Sequence, residues 1–587
     1  MVARYLITTA DERTWVKDQP ILFLGEWCRL YNRKHIWSKM DAIVAEPYGL
    51  NEGQKDRDLD YIYVLRDQLV KELASALNKY HNTDHSLRYW HILTGPWLNR
   101  FLMLVFNRFY TLEQALNRYN VCGTTVFESE SYSLASPESF YLPDPCNDDI
   151  WNNFLFSRIL KFIGHEKIEV NPVPLLTEKG FFLAGRPGGL QFNHNILNLP
   201  RKILPNFCRE NDAFIINSYL RLKDEALLQL CLGQCPQFWK SPELDTVQPD
   251  KTQRQRFNIE SDGCEGFELF VRLQLAESVP TCFLEGYGKL VLQAESLPWP
   301  KKPKFIFTSV NFNSDEIFKA WTASKVEQGI PYYTGQHGNN YGEGRFFRLE
   351  ESSECLTSDR FITWGWTNGE PRNIPAYPFI TANRKPRQKH SEGHLLLIDL
   401  LLASRSFPWD THFEHGIYQE EQFRFVEALP PTLQQKLLVR LNPAFKNMRW
   451  FENQRWEDRS PRIKVETDAA PMHKLIARSR LVVNSYNSTI ILECLALNIP
   501  TIGFWNGGLN HIMPKAKPYY ELLRNVGILA DTPEHAAGLV ALHWEDVGSW
   551  WESEKVQDAR KEFCEEYART EKNPIRKLKR ILTSVYC

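Results

Sequence analysis

Two short stretches carry the residues best suited to chemistry. The first is Gly335-Gln336-His337-Gly338-Asn339-Asn340-Tyr341-Gly342-Glu343-Gly344. His337 lies between residues able to take unusual backbone conformations, so its ring can project from a loop formed with Gln336, Gly338 and Asn339. An imidazole titrating near neutrality can take a proton from an attacking hydroxyl. The alternative is a loop histidine that only hydrogen-bonds backbone. The second stretch is Asn484-Ser485-Tyr486-Asn487-Ser488-Thr489, followed by Glu493. Hydroxyls, amides and a helix end contributed by Ser485, Asn487, Ser488 and Thr489 suit a phosphate. Glu493, about one turn into the helix, suits two vicinal hydroxyls because a carboxylate accepts from both. An ordinary capped βα turn with a solvated glutamate would look the same. Arg440 closes the apolar run Leu437-Leu438-Val439. It is expected to meet the same phosphates; a surface ion pair is the alternative.

The elements that must position these residues follow from hydrophobic pattern. Leu481-Val482-Val483 is an apolar, β-branched run of the kind buried on both faces of a parallel sheet. After the polar turn, Ser488 or Thr489 caps a helix carrying Ile490, Ile491, Cys494, Leu495 and Leu497. Asn498 ends that helix, and Thr501 to Phe504 form the next strand. Upstream, 303–309 and 330–334 read as strands flanking a helix over 315–328, with a further strand at 360–366. That is a βαβ unit with its glycine-rich loop at the carboxyl edge, where open α/β sheets bind ligands. Residues 381–393 are polar, basic and proline-containing, as a linker is. A fresh series follows: a strand over 394–402, a helix over 418–429, a strand over 437–441, and helices over 472–477, 519–524, 533–543 and 552–570. His473 is expected on the surface of its helix.

The N-terminal part is less informative. Ile21-Leu22-Phe23-Leu24-Gly25 reads as the first strand, with Glu26 and Trp27 at its carboxyl end. Residues 60–80 have amphipathic helical character. Gly95-Pro96 predicts a sharp turn before Trp97, and the dense aromatics there suit an interdomain seam or an acceptor channel; His91 reads as structural. Residues 130–300 hold helical stretches (150–162, 224–232, 266–275) and read as a largely helical insertion, with Arg186-Pro187-Gly188-Gly189 as a loop.

At 587 residues the chain exceeds what one core supports, so two or more domains are expected. Lys plus Arg numbers 70 against 71 Asp plus Glu, which excludes binding to nucleic acid or an anionic membrane by bulk charge. Aromatics reach 13%, with 18 Trp, a load that suits large cores or sugar-stacking surfaces. The 12 cysteines include no CxxC pair, and Cys231 and Cys235 have no His/Cys set at metal spacing beside them. Reduced thiols in an intracellular protein are expected. Asp11, Glu12 and Arg13 interrupt any signal-peptide core, and the apolar run 97–110 is broken by Arg100 and Arg108. At most peripheral membrane association is expected.

Two α/β halves with ligand loops at both carboxyl edges leave a cleft between them, and this layout resembles the GT-B glycosyltransferase fold. The expected fold is α/β, two Rossmann-like domains facing a cleft: an N-terminal one over 1–380 carrying the helical insertion, and a C-terminal one over 394–587. The serine/threonine-rich turn, Glu493 and Asn498-Ile499-Pro500-Thr501 are similar to that superfamily's nucleotide-sugar motif, where a small residue, usually Gly, often stands at the place of Asn498. The resemblance implies donor phosphate at the helix N-terminus and ribose on Glu493. The Gln336-His337-Gly338 loop resembles the His-Gly loop of CDP-glycerol glycerophosphotransferases, which implies a base role for His337.

More closely, the chain resembles a bacterial family of transferases found among lipopolysaccharide and surface-carbohydrate genes. The matching stretches are Phe23-Leu24-Gly25-Glu26-Trp27-Cys28, Leu93-Thr94-Gly95-Pro96-Trp97-Leu98, Gln336-His337-Gly338, Thr363-Trp364-Gly365-Trp366 and Asn484-Ser485-Tyr486-Asn487-Ser488-Thr489. In that family a second glycine often follows His-Gly, where this chain has Asn339. The expectation is a cytoplasmic, metal-independent glycosyltransferase of lipopolysaccharide or O-antigen assembly, acting from a nucleotide-sugar donor on a glycan or glycolipid acceptor and needing no cofactor. The acceptor would lie near Glu26, Trp27, Gly95 and Trp97. His337 would act as base or as a donor to the leaving phosphate, a helix end and Arg440 would stabilise the leaving charge in place of a metal, and no DxD pair stands at a strand end. A nucleotide-sugar epimerase or hydrolase of the same fold, and a non-catalytic carbohydrate-binding protein, are the alternatives.

Overall fold

The computed structural model describes residues 2–139, 147–164, 168–175, 207–346, 348–384, 393–400, 415–447, 450–468 and 470–584. The Arg186-Pro187-Gly188-Gly189 loop and most of the 381–393 linker lie outside them.

Among the described residues three parallel sheets organise the chain. The first holds β1 (Arg4–Ile7), β2 (Ile21–Phe23), β3 (Ala42–Val44), β4 (Val121–Glu128) and β5 (Glu169–Pro174), in the order β3-β2-β1-β4-β5. The second holds β6 (Phe214–Ile215), β7 (Ile306–Thr308), β8 (Tyr332–Gly335), β9 (Arg360–Thr363) and β10 (Asn373–Pro375), ordered β10-β9-β8-β7-β6. The third holds β11 (His394–Ile398), β12 (Leu437–Arg440), β13 (Lys464–Glu466), β14 (Ser479–Asn484), β15 (Thr501–Phe504) and β16 (Leu529–Ala530), ordered β13-β12-β11-β14-β15-β16. Every recorded strand pair is parallel. In the third sheet the chain runs outward from β11 to β13, then restarts at β14 on the other side of β11. That reversal opens a crevice at the carboxyl ends of β11 and β14.

The α/β class with parallel sheets holds, but the N-terminal half carries two sheets where the sequence suggested one. The 130–300 region is not a helical insertion alone. It supplies β5 to the edge of the first sheet and β6 to the edge of the second. β6 pairs over two residues, too few to show a strand period. The first strand is Arg4–Ile7 and not the run beginning at Ile21, which is the second.

Two long helices, α1 (Glu52–His81) and α2 (Leu87–Arg118), cover the first sheet. Gly95-Pro96 makes no turn; both lie inside α2. Pro96 removes one helical hydrogen bond, yet Trp90, Leu93, Trp97, Leu98 and Phe101 are buried on either side of it. Burying that many large side chains outweighs a local cost of about 3 kcal/mol. Gly95 serves close approach instead: a Cβ there would stand 2.6 Å from the Ser353 hydroxyl.

In the third sheet Leu481 and Val483 join one core layer and Val482 the opposite one, as a strand buried on both faces requires. The chain does not end in that unit. The helix Pro574–Thr583 returns to the second sheet, where Ile575, Leu578, Ile581 and Leu582 pack with Ile215, Phe307, Tyr333 and Ile362. Tyr377 donates to the Pro574 carbonyl at 2.7 Å, and Arg360 donates to the carbonyls of Ile581 and Ser584.

Candidate active site

The loop after β8 meets the turn after β14. The Asn339 amide nitrogen donates to Thr489 Oγ1 at 3.3 Å, and Asn339 Nδ2 donates to the Asn487 carbonyl at 2.5 Å. The second and third sheets therefore face each other through the two stretches that could do chemistry. Behind this seam, Tyr520 donates to Glu343 Oε2 at 2.7 Å and sits 3.2 Å from Asn487 Nδ2. Burial pushes the Glu343 carboxyl up to about 7.

Gln336 holds the histidine loop in shape. Its Oε1 accepts from the Trp364 amide at 2.9 Å and from Trp366 Nε1 at 2.8 Å, and its Nε2 donates to the Gly338 carbonyl at 2.8 Å. Its own carbonyl accepts from Trp364 Nε1 at 3.0 Å. The Thr363-Trp364-Gly365-Trp366 motif is thus explained as the frame for Gln336. Gly365 has φ +143°, and a Cβ there would stand 2.6 Å from the Glu566 carbonyl.

His337 is half-buried among Phe312, Tyr341 and Tyr219, with ring centroids 5.6, 5.7 and 6.5 Å away. Its Nδ1 lies 3.4 Å from Tyr341 Oη, which donates to Glu354 Oε1 at 2.6 Å. Burial, reinforced by the positive charge of Arg100, holds the imidazole down at about 4, so it is neutral at pH 7. Arg100 reaches this place from α2 and donates to Asn313 Oδ1 at 2.6 Å.

Across the cleft, Ser488 caps the helix Thr489–Ala496 by accepting from the Ile491 amide at 3.2 Å. The amides of Thr489 and Ile490 have no acceptor among the described residues. Glu493 is half-buried on this helix, and burial raises its carboxyl to about 7 against the opposing pull of Arg384. Tyr219 feels the charge of Glu493 while its ring lies within 6.5 Å of His337. Tyr219 thus links His337 to Glu493, and Arg384 stands close enough to Glu493 to favour its charged form. Asn498 adopts φ +55°, the left-handed conformation usually left to glycine, and its Oδ1 accepts from Trp551 and Gln557.

A family profile described as LIC12162 family transferase matches residues 4–582. The chain belongs to that family. In this LIC12162 family transferase both stretches of the candidate site fall within the matched span. No curated protein sequence matches. Among solved structures, the glycotransferase of kitacinnamycin overlaps at TM-score 0.34 and 12% identity, covering 64% of this chain and 98% of that one. Phytolacca americana UGT2, complexed with UDP-2-fluoro-glucose and pterostilbene, overlaps at TM-score 0.32 and 12% identity, over 64% and 99%. Acinetobacter baumannii MurG overlaps at TM-score 0.31 and 11% identity, over 63% and 99%. Likenesses of this size say nothing of activity in the LIC12162 family member.

Several residues expected at the site are placed elsewhere or already engaged. Ser485 is fully buried; it donates to the Ile398 carbonyl at 2.9 Å and lies 2.8 Å from Tyr418 Oη. Ser488 is spent on the cap and on Asn484 Oδ1. Arg440 stands two strands from β14, and its guanidinium donates to the carbonyls of Leu441 and Ala470.

The four residues expected to face an acceptor are not gathered on a surface either. Trp97 is fully buried and stacked on Phe101 at 5.0 Å, and Gly95 is in helix–helix contact. Trp27 is buried over Gly25, donating to the Thr8 carbonyl at 3.0 Å, and Glu26 is paired with Arg29. Pattern reading missed Arg100, Tyr219, Tyr341, Glu354 and Arg384. Of these, Tyr341 stands inside the histidine-loop stretch and Arg384 inside the 381–393 stretch, where pattern gives neither a role.

Proposed function

We propose that this transferase moves a glycosyl group from a nucleotide-sugar donor to a hydroxyl of a lipopolysaccharide or other surface-polysaccharide acceptor. The observation that carries the reading is the direct contact between the histidine loop and the turn that opens the Thr489–Ala496 helix, with Glu493 on that helix and Arg384 close enough to favour its charged form. The donor's phosphates would lie on the Thr489 and Ile490 amides, the Thr489 hydroxyl and Arg384, with Asn487 beside them. Glu493 would accept from the ribose hydroxyls. His337, neutral and reached from the cleft, would take the proton of the attacking hydroxyl. Amides at a helix end and a guanidinium are suited to the charge that develops on the departing phosphate, so chelators are expected to leave the rate unchanged. The surface-glycan acceptor is supported by the resemblance of the five sequence stretches. A cytoplasmic place of action follows from where nucleotide sugars are made; among the described residues no helix is long and apolar enough to cross a membrane.

Thermal-shift screening against CMP-, CDP-, UDP-, GDP- and dTDP-sugars tests the reading. One nucleotide class is expected to raise Tm, with the shift lost in Glu493→Ala and Arg384→Ala. No shift with any of them would remove the donor site.

A further inference from the structure

Tyr341 has one phenolic proton and two polar neighbours. Its Oη lies 2.6 Å from Glu354 Oε1 and 3.4 Å from His337 Nδ1. The short bond runs from the Tyr341 hydroxyl to Glu354 Oε1, so the single phenolic proton goes to Glu354. The oxygen then turns a lone pair toward the imidazole, and Nδ1 must carry a hydrogen. We propose that Tyr341 and Glu354 are positioning residues that fix His337 as the Nδ1–H tautomer and so direct the Nε2 lone pair to the acceptor hydroxyl. The proposal rests on His337 being the base.

The surroundings agree. Glu354 and Tyr341 are buried, and Glu354 also accepts from Ser352, so neither group is free to rearrange with solvent. Nε2 has no hydrogen-bond partner among the described residues. The charged and titratable groups facing the ring are Arg100 from α2, Tyr219, Tyr341 with Glu354 behind it, and Glu493 beyond Tyr219. Arg100 opposes an imidazolium.

In the transfer the proton of the acceptor O–H moves to Nε2. The oxygen's electron pair forms the new bond to the anomeric carbon, while the bond from that carbon to the donor phosphate breaks and its pair leaves with the phosphate. The imidazolium then donates from both nitrogens, Nδ1 still to Tyr341, until Nε2 returns its proton to solvent.

The test combines tautomer and rate. In the 15N-histidine-labelled protein, with His337→Gln used for assignment, His337 is expected to show a protonated Nδ1 and a bare Nε2, and Tyr341→Phe to show a mixture. Tyr341→Phe and Glu354→Gln are each expected to lower kcat about tenfold or more and to shift the acid limb of the pH–rate profile. Donor KM should stay near wild type, while Tm falls modestly in Tyr341→Phe because the buried Glu354 carboxyl loses a partner. A wild-type His337 protonated on Nε2 overturns the proposal. So does an unchanged kcat and pH limb in Tyr341→Phe while His337→Ala is inactive. Full activity in His337→Ala would instead remove the base reading on which the proposal stands, an outcome separable from the tautomer spectrum.

Discussion

Asn339 is joined to Thr489 across the seam between the second and third sheets, 3.3 Å from amide nitrogen to hydroxyl. Its side chain reaches the Asn487 carbonyl as well. One loop residue therefore sets the spacing between the histidine and the helix end opposite. Asn339→Ala is expected to raise donor KM several-fold with little change in Tm, because the surrounding Gln336 frame persists. Steady-state kinetics beside a melting curve checks this.

Donor affinity should depend on pH through Glu493. Its carboxyl titrates near 7 because burial disfavours the charge. The ionised form accepts from both ribose hydroxyls and the protonated form from fewer, so affinity is expected to rise from pH 6 to pH 8. Glu493→Gln should flatten that rise, as calorimetric titration at several pH values would show.

Stability carries a second pH signature through Glu343, which is buried and titrates near 7 against about 4.5 when unfolded. Between those values the folded chain keeps a proton that the unfolded chain has lost. Stability from this group is therefore full below about pH 4.5, falls as pH rises to about 7 and is level beyond. His337 acts in the opposite sense, losing stability as pH falls from about 6.5 toward 4. The difference between wild type and Glu343→Gln isolates the first effect: denaturant melts should show the variant losing less stability between pH 5 and 7.

Gly365 is predicted to tolerate no side chain. Its φ of +143° is strained for other residues, and a Cβ would strike the Glu565 and Glu566 carbonyls. Gly365→Ala is expected to cost about 2–3 kcal/mol in denaturant unfolding. It should also loosen the histidine loop, since Trp364 and Trp366 flank it and both bond Gln336.

Local signals made much of this legible in the sequence. The helices Met472–Ala477 and Pro533–His543, the strand Leu437–Arg440 and the cap at Ser488 follow from apolar spacing and end residues. What failed depended on distant partners. Pro96 reads as a breaker, yet burial carries α2 through it. Ser485 looks free in a polar turn until Tyr418 and the Ile398 carbonyl engage it. Arg440 closes the strand that its apolar run predicts, but two backbone carbonyls engage its guanidinium. Arg384 belongs to the basic stretch that reads as linker, and only the folded chain brings its charge to bear on Glu493. No periodicity links Tyr219 to His337, whose rings the fold sets 6.5 Å apart.

Hydrogen-exchange mass spectrometry with and without the nucleotide sugar that raises Tm tests the central claim most directly. Peptides spanning 336–341 and 487–493 should gain protection together, and Glu493→Ala should abolish both gains. Protection confined to the carboxyl edge of the first sheet, with these two segments unchanged, would contradict it.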